Sequence, residues 1–251
     1  GSVTISGTPT ENQTLTASNT LADADGMGVI SYQWQRDGVD IVGATGTTYT
    51  LGDTDVGTMV SVVASYTDGQ GTNESMSSAG VGPVANVNDI PVGVPSISGT
   101  ATEDQVLTAD TSGISDADGL GAFSYQWQRD GGVIAGATAS TYTLGDADVG
   151  TQISVQVSYT DGHGTNESLT SVQTAPVANI NDAPVGLPTI GGTPAENQTL
   201  TASNTLADAD GMGVVSYQWQ RDGVDIVGAT GSTYTLGDTD VGTIIAVVAL
   251  Y

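Results

Sequence analysis

The stretch SYQWQRDG occupies residues 31–38 and returns unchanged at 124–131 and 216–223. Its tryptophans, Trp34, Trp127 and Trp219, are the only three in the chain. They are spaced by more than ninety residues, so each repeat is a whole domain, not a solenoid unit of about 20–50 residues. The chain of 251 residues therefore reads as one domain design used three times, over 1–89, 90–182 and 183–251. The second repeat continues as SVQVSYTDGHGTNES at 154–168, whereas the third ends VVALY at 247–251. The third repeat is thus expected to be cut in its sixth strand, as in a piece of a longer protein.

Around the tryptophan motif the sequence runs in short alternating segments broken by Gly, Asp, Asn and Thr, the pattern of an all-β sandwich. In the first repeat it predicts strands near Val3–Ser6, Gln13–Ala17, Ile30–Arg36, Asp40–Val42, Thr48–Leu51, Met59–Tyr66 and Ser75–Val87. No segment carries a sustained helical period. In the second repeat Ile153, Val155, Val157 and Tyr159 share one face, while Gln152, Ser154, Gln156 and Ser158 share the other. Such a period of two predicts one buried and one wet face. Tyr125 and Trp127 also share a face, which makes the tryptophan the plug between two sheets.

Composition removes several function classes. There are 28 acidic residues against three arginines and no lysine, a net charge of −25. A phosphate-backbone binder releases counterions with Lys or Arg, so nucleic acid is not a partner. Anionic membrane surfaces are disfavoured for the same reason, and no apolar run approaches the roughly 18 residues of a membrane-inserting span. Cysteine is absent, so no disulfide staples the sandwiches. So many carboxylates repel one another in a compact state, unless multivalent cations sit among them.

The combination of SYQW–RDG, TYTL and a D-V-G turn ahead of an alternating strand resembles bacterial immunoglobulin-like repeats. The turn is Asp55-Val56-Gly57, then Asp148-Val149-Gly150, then Asp240-Val241-Gly242. The wording of the repeats is similar to the extender regions of giant RTX-type adhesins, which are acidic and cysteine-free and leave the cell by type I secretion. The resemblance implies three sandwiches joined end to end, cell adhesion and biofilm roles, and an extracellular place on a bacterial surface. The joining segments are VANVNDIPVG at 84–93 and VANINDAPVG at 177–186. Pro91 and Pro184 fix φ there and suit a short, stiff connector.

Enzyme chemistry finds no support. The single histidine, His163, stands where the first repeat has Gln70. There is no glycine-rich phosphate loop and no Cys/His cluster for zinc. Carboxylate pairs are present, but they sit on loops that recur in every repeat. The arginines Arg36, Arg129 and Arg221 read as structural partners of Asp55, Asp148 and Asp240.

Calcium is the cofactor that the acidic loops suggest, because hard cations take carboxylate, amide and carbonyl oxygens. DADGMG (23–28), DADGLG (116–121) and DADGMG (208–213) place two aspartates two apart before a glycine. Alone, this pattern is equally an Asp-Gly turn. In an immunoglobulin-like sandwich, however, this loop faces the entering chain. Asp116 and Asp118 should then meet the linker Asn86-Val87-Asn88-Asp89.

The N-x-N-D linker is similar to the cadherin D-x-N-D-N linker, whose groups hold interdomain calcium. That likeness implies Asn86, Asn88, Asp89, Asp116 and Asp118 as ligands, closed from the preceding domain by Glu11 and by Asp53 or Asp55. The second junction repeats the set as Asn179, Asn181, Asp182, Asp208 and Asp210, with Glu103 and Asp146 or Asp148. The loops TDGQGTNES (67–75) and TDGHGTNES (160–168) add Asp68, Glu74, Asp161 and Glu167 at the same pole, as ligands or as plain hairpins.

The expected function is mechanical: an extender stiffened by interdomain calcium that holds a distal tip away from the cell. The partners are the neighbouring repeats of the same chain. Self-association along the filament axis, or strand addition at the third repeat, is the further partner expectation. Two alternatives remain at this point, a subunit of an extracellular filament or surface layer, and an accessory binding module of a secreted protein.

Overall fold

The computed structural model describes residues 1–251. Repeat one contributes β1 (Val3–Ser6), β2 (Thr14–Asn19), β3 (Ser31–Arg36), β4 (Val39–Asp40), β5 (Thr48–Thr50), β6 (Val60–Thr67) and β7 (Asn73–Ser77). Repeat two contributes β8 (Ser96–Ser98), β9 (Val106–Asp110), β10 (Ser124–Arg129), β11 (Gly132–Val133), β12 (Thr141–Thr143), β13 (Ile153–Thr160) and β14 (Asn166–Thr170). Repeat three contributes β15 (Pro188–Gly191), β16 (Thr199–Asn204), β17 (Ser216–Arg221), β18 (Val224–Asp225), β19 (Thr233–Thr235) and β20 (Ile245–Leu250).

Each repeat builds two antiparallel sheets. In repeat one these are β1-β2-β5 and β4-β3-β6-β7, and repeat two has the same pair of sheets. In repeat three the second sheet has three strands, β18-β17-β20. The protein is thus a tandem array of immunoglobulin-like β-sandwiches, with consecutive strands divided between two sheets.

The alternation of the sequence is the reason for the layers. Trp34, Trp127 and Trp219 are all 0% exposed, each at the centre of its own apolar cluster. Each indole N–H donates to a backbone carbonyl, of Gly46, Ala139 and Gly231 respectively, at 2.9 Å. A buried tryptophan needs such a partner. Ile153, Val155, Val157 and Tyr159 are buried along one face of β13. Ser154, on the opposite face, is buried as well and bonds to Gln128.

The RDG of the motif makes the hairpin between β3 and β4. Asp37 and Gly38 have φ of 47° and 82°, the pair of positive values a type I′ turn requires. The carboxylate of Asp37 then accepts the Met59 amide at 2.9 Å and ties the hairpin to the start of β6. Strand β4 is shorter than the sequence suggests, because the Ile41 amide turns back to the Trp34 carbonyl at 2.9 Å.

The last strand also departs from expectation. Pairing to β6 ends at Ser77, because Gly80, Gly82 and Pro83 interrupt the ladder. The segment then makes single bridges: Val81 to Val60, Val84 to Val56 and Ala85 to Thr10. It runs from one sheet to the loop between β1 and β2 and closes the far pole of the sandwich. Val84 is buried in the core there. Residues 177–178 do the same in repeat two.

Candidate metal centre

The polar ends of the sandwiches meet at the two linkers. Glu11 follows directly on the Thr10 bridge and precedes Asn12, whose φ of 63° makes a left-handed corner. This corner turns the Glu11 side chain inward, where it is 0% exposed. Its Oε2 accepts the amide of Val87 in the linker at 3.1 Å. Its Oε1 has no hydrogen-bond partner. Asp53 opens the short helical turn Asp53–Asp55, and Asp89 closes the linker. Oxygen atoms of Glu11, Asp53 and Asp89 all lie within 4.8 Å of one another. Asn86 Oδ1 and Asp89 Oδ2 are also buried without partners.

The following sandwich grips the same linker. The amide of Asp89 donates to Asp118 Oδ2 at 2.7 Å. Asn88 donates to Glu167 of the later loop at 2.9 Å. Asp118 is buried, and its backbone carbonyl accepts the Gly162 amide at 2.9 Å, so the two loops of this pole are one unit. Beyond Pro91, Val92 and Ser115 exchange backbone hydrogen bonds of 2.8 and 2.9 Å. Gly93 has φ of 92°, and a Cβ there would lie 2.1 Å from the Gly113 carbonyl, so only glycine lets the linker lie this close.

The second junction is built alike. Glu103, Asp146 and Asp182 bring oxygens within 4.8 Å. Glu103 Oε2 accepts the Ile180 amide at 3.1 Å, while Oε1 is buried and unpartnered. The Asp182 amide donates to Asp210 Oδ2 at 2.6 Å, and Val185 pairs with Ala207. Asp210 and Asn179 are exposed, and so is Asn181, which bonds to the Asp182 carbonyl. The sequence holds no counterpart of the 161–167 loop there.

The sixteen carboxylates and amides singled out in the sequence thus fall into three groups. Glu11, Asp53 and Asp89 converge, as do Glu103, Asp146 and Asp182. Asp118 and Asp210 hold the linker backbone rather than the triads. Asp116 is committed to its own loop. One oxygen accepts the Asp118 amide and the other accepts the Tyr159 hydroxyl. Asp208 is held likewise by the Asp210 amide and Tyr251. Asp55 and Asp148 lie elsewhere. Asp55 takes Arg36, Tyr49 and the Gly52 amide, and Asp148 takes Arg129, Tyr142 and the Gly145 amide. Between Asp53 and Asp55 the geometry therefore places Asp53 in the cluster. The tyrosines that prop the first aspartate of each D-x-D were absent from the sequence reading. Their signal is the S-Y-T-D-G string at the end of the sixth strand.

Electrostatics mark the triads as unbalanced. Burial raises the pKa of Glu11, and Asp53 and Asp89 add to this, although the Val87 amide pulls the other way. For Glu103 the Ile180 amide lowers the pKa, but Asp146, burial and Asp182 together leave it raised. Asp182 is raised by burial and then by Asp146 and Asp210. All three arginines are engaged at Asp55, Asp148 and Asp240, so no basic side chain neutralises either cluster. A spread of 4.8 Å is about twice a Ca–O bond of roughly 2.4 Å. The donors are all oxygen, some already desolvated and unpartnered, and that set fits a hard divalent cation.

No protein-family model and no curated protein sequence matches the chain. Among solved structures it is similar to a four-domain ectodomain fragment of ICAM-5, with 14% identity, TM-score 0.39 and coverage of 99% of this chain and 74% of that one. A Ca2+-stabilized adhesin that helps an Antarctic bacterium bind ice matches with 12% identity and TM-score 0.30, covering 100% of this chain and 65% of that one. The three N-terminal domains of the highly immunogenic outer capsid protein of bacteriophage RB49 match with 16% identity and TM-score 0.26, covering 99% and 90%. At these TM-scores the likeness carries nothing about ligands or partners.

Proposed function

We propose that this chain is a structural extender region of a large bacterial cell-surface adhesin, built from units at 1–89, 90–182 and 183–251 and stiffened by calcium at its two junctions. The carrying observation is the convergence of Glu11, Asp53 and Asp89, and again of Glu103, Asp146 and Asp182, at the point where one sandwich hands the chain to the next. Each triad joins a residue of the linker to two of the preceding sandwich. The aspartate that supplies the linker's carboxylate is also the one whose amide the next sandwich holds. A cation in the triad would therefore fix the linker to both neighbours.

Without cation, clustered carboxylates push the linker away from the sandwich that precedes it. With calcium, Glu11, Asp53, Asn86 and Asp89 would hold the ion at the first junction, and Glu103, Asp146 and Asp182 at the second. Extracellular sites of modest charge bind calcium at about 10⁻⁴–10⁻³ M. Stiffness would then follow export into calcium-rich surroundings. Such a rod needs no catalytic group, and its working surface is its own length.

The test is a calcium titration by calorimetry, paired with small-angle scattering in calcium and in chelator. Two binding events per chain and a longer, stiffer particle in calcium are expected. Failure to take up calcium, with identical scattering in both buffers, would overturn the reading.

A further inference from the structure

Repeat three differs from its sisters in one place. In repeat one, residues 81–86 fill a groove between the two sheets. Val84 is buried there at 2% exposure. Backbone bonds secure it: Glu11 N to Ala85 O, Ala85 N to Pro9 O, Gly57 N to Val84 O and Val84 N to Thr58 O, all at 2.9–3.0 Å. Repeat two secures Val177 and Ala178 in the same way.

In repeat three the equivalent positions are Pro194, Glu196, Gly242 and Thr243. The Glu196 and Gly242 amides and the Pro194 and Thr243 carbonyls have no backbone partner. A cavity of about 290 Å³ opens between them, floored by Leu236 and Ile245. Exposure follows. Val60 and Ile153 are 0% exposed, while their counterpart Ile245 is only half-buried. Glu196 is exposed, where Glu11 and Glu103 are sealed. The outer edge of β20 is also unpaired, whereas β6 pairs with β7 and β13 with β14. Val248 and Leu250 on β20 are exposed.

We propose that repeat three is an acceptor for an added β-strand, and that its occupant is a free extended segment of the pattern N-E-S-x-x-S followed by P-V-A-N. This pattern is shared by NESMSSAGVGPVAN at 73–86 and NESLTSVQTAPVAN at 166–179, the two segments that fill the sister grooves. The first half of the occupant pairs with β20 in the antiparallel register that β7 uses on β6. The second half places its valine opposite Val241 and its alanine opposite Ala195, matching Val84 opposite Val56 and Ala85 opposite Thr10. Main-chain bonds supply affinity and the valine pocket supplies selectivity. A second folded copy of the chain is a poor donor, because lending residues 73–86 would open its own repeat one and return nothing net. The site does not depend on the calcium reading.

The experiment adds a synthetic peptide of sequence NESMSSAGVGPVAN to the intact chain, followed by calorimetry and amide hydrogen exchange. Saturable 1:1 binding is expected, with new protection at Glu196, Gly242 and along β20, and none gained in repeats one and two. The same peptide carrying Val84→Asp is expected to bind at least about tenfold more weakly, since it places a charge in an apolar pocket. No saturable binding at roughly millimolar peptide, or equal binding of the two peptides, would overturn the proposal. A concentration-dependent dimer that protects the same amides without peptide would also overturn it, by making a second copy the occupant.

Discussion

The backbone amide of Asp89 lies 2.7 Å from the buried Oδ2 of Asp118, across the boundary between two sandwiches. The side chain of the same Asp89 faces back to Glu11 and Asp53. One linker residue is therefore held forward by its main chain and backward by its carboxylate. The forward hold needs no metal, and the backward one joins three like charges.

Asp118→Ala removes the forward acceptor and leaves the triad in place. A hydrogen bond to a charged partner contributes about 1.5–3 kcal/mol, so the linker should separate from the second sandwich. Scattering of the variant is expected to show greater interdomain flexibility in calcium as well as in chelator. Calcium uptake should persist, because Glu11, Asp53 and Asp89 remain. Loss of all uptake would instead make Asp118 a ligand in its own right.

The acid response follows from the raised pKa of Glu11 and Glu103, whose ordinary value is 4.5. A carboxylate that ionises at higher pH when folded than when unfolded binds more protons in the folded state between those two values. Stability then falls as pH rises through that interval. In chelator the melting temperature should therefore rise as the pH drops from neutral towards the carboxylate range. In calcium the trend should reverse, since metal and proton compete for the same oxygens. Glu11→Gln with Glu103→Gln should flatten the chelator trend. A slope unaltered by those changes would place the acid response in other carboxylates.

Arg129 and Asp148 test the core side of the same loops. The guanidinium lies 2.6 Å from a carboxylate whose side chain is 2% exposed. Arg129→Ala strands that charge beside Tyr142 and the Gly145 amide. The expected loss is about 2–3 kcal/mol, below the fully buried range because the guanidinium is partly in water. Denaturant unfolding measures it, and calcium affinity should be unchanged. Trp127→Ala is expected to cost more, about 3–5 kcal/mol.

The fold was open to reading because burial imposes a period of two on a strand, and Trp34 sits in phase with Tyr32, Val60 and Val62. The type I′ turn was written in Asp37-Gly38. What sequence could not give was which of two nearby aspartates faces the junction. Asp53 and Asp55 are two apart in a short helical turn, so they point to different sides, and only the Arg36 contact separates them. The long final strand was overread for a related reason. Ser75–Val87 is suitably apolar and polar by turns, but Gly82 and Pro83 send it across to the other sheet. The bridge between Val92 and Ser115 leaves no side-chain signature at all, being made of backbone.

The tyrosines beneath the D-x-D loops offer the finest test of how the junction is held. Tyr159 donates to Asp116 Oδ2 and packs edge-on against Phe123, with ring centroids 5.4 Å apart. Burial, and then the hydrogen bond to Asp116, raise its pKa well above the ordinary value of 10.0. Tyr159→Phe keeps the ring and removes only the donor. The Asp116 carboxylate then loses one of its two supports, and the turn that carries Asp118 loosens with it. The loss of stability should be about 1.5–3 kcal/mol. Hydrogen exchange at the Asp89 amide, which depends on Asp118, should accelerate, while the amides of β13 paired to β10 stay protected. Equal acceleration in both places would mean that the tyrosine serves the core of the sandwich, and that the loop is held by its own Asp-Gly turn.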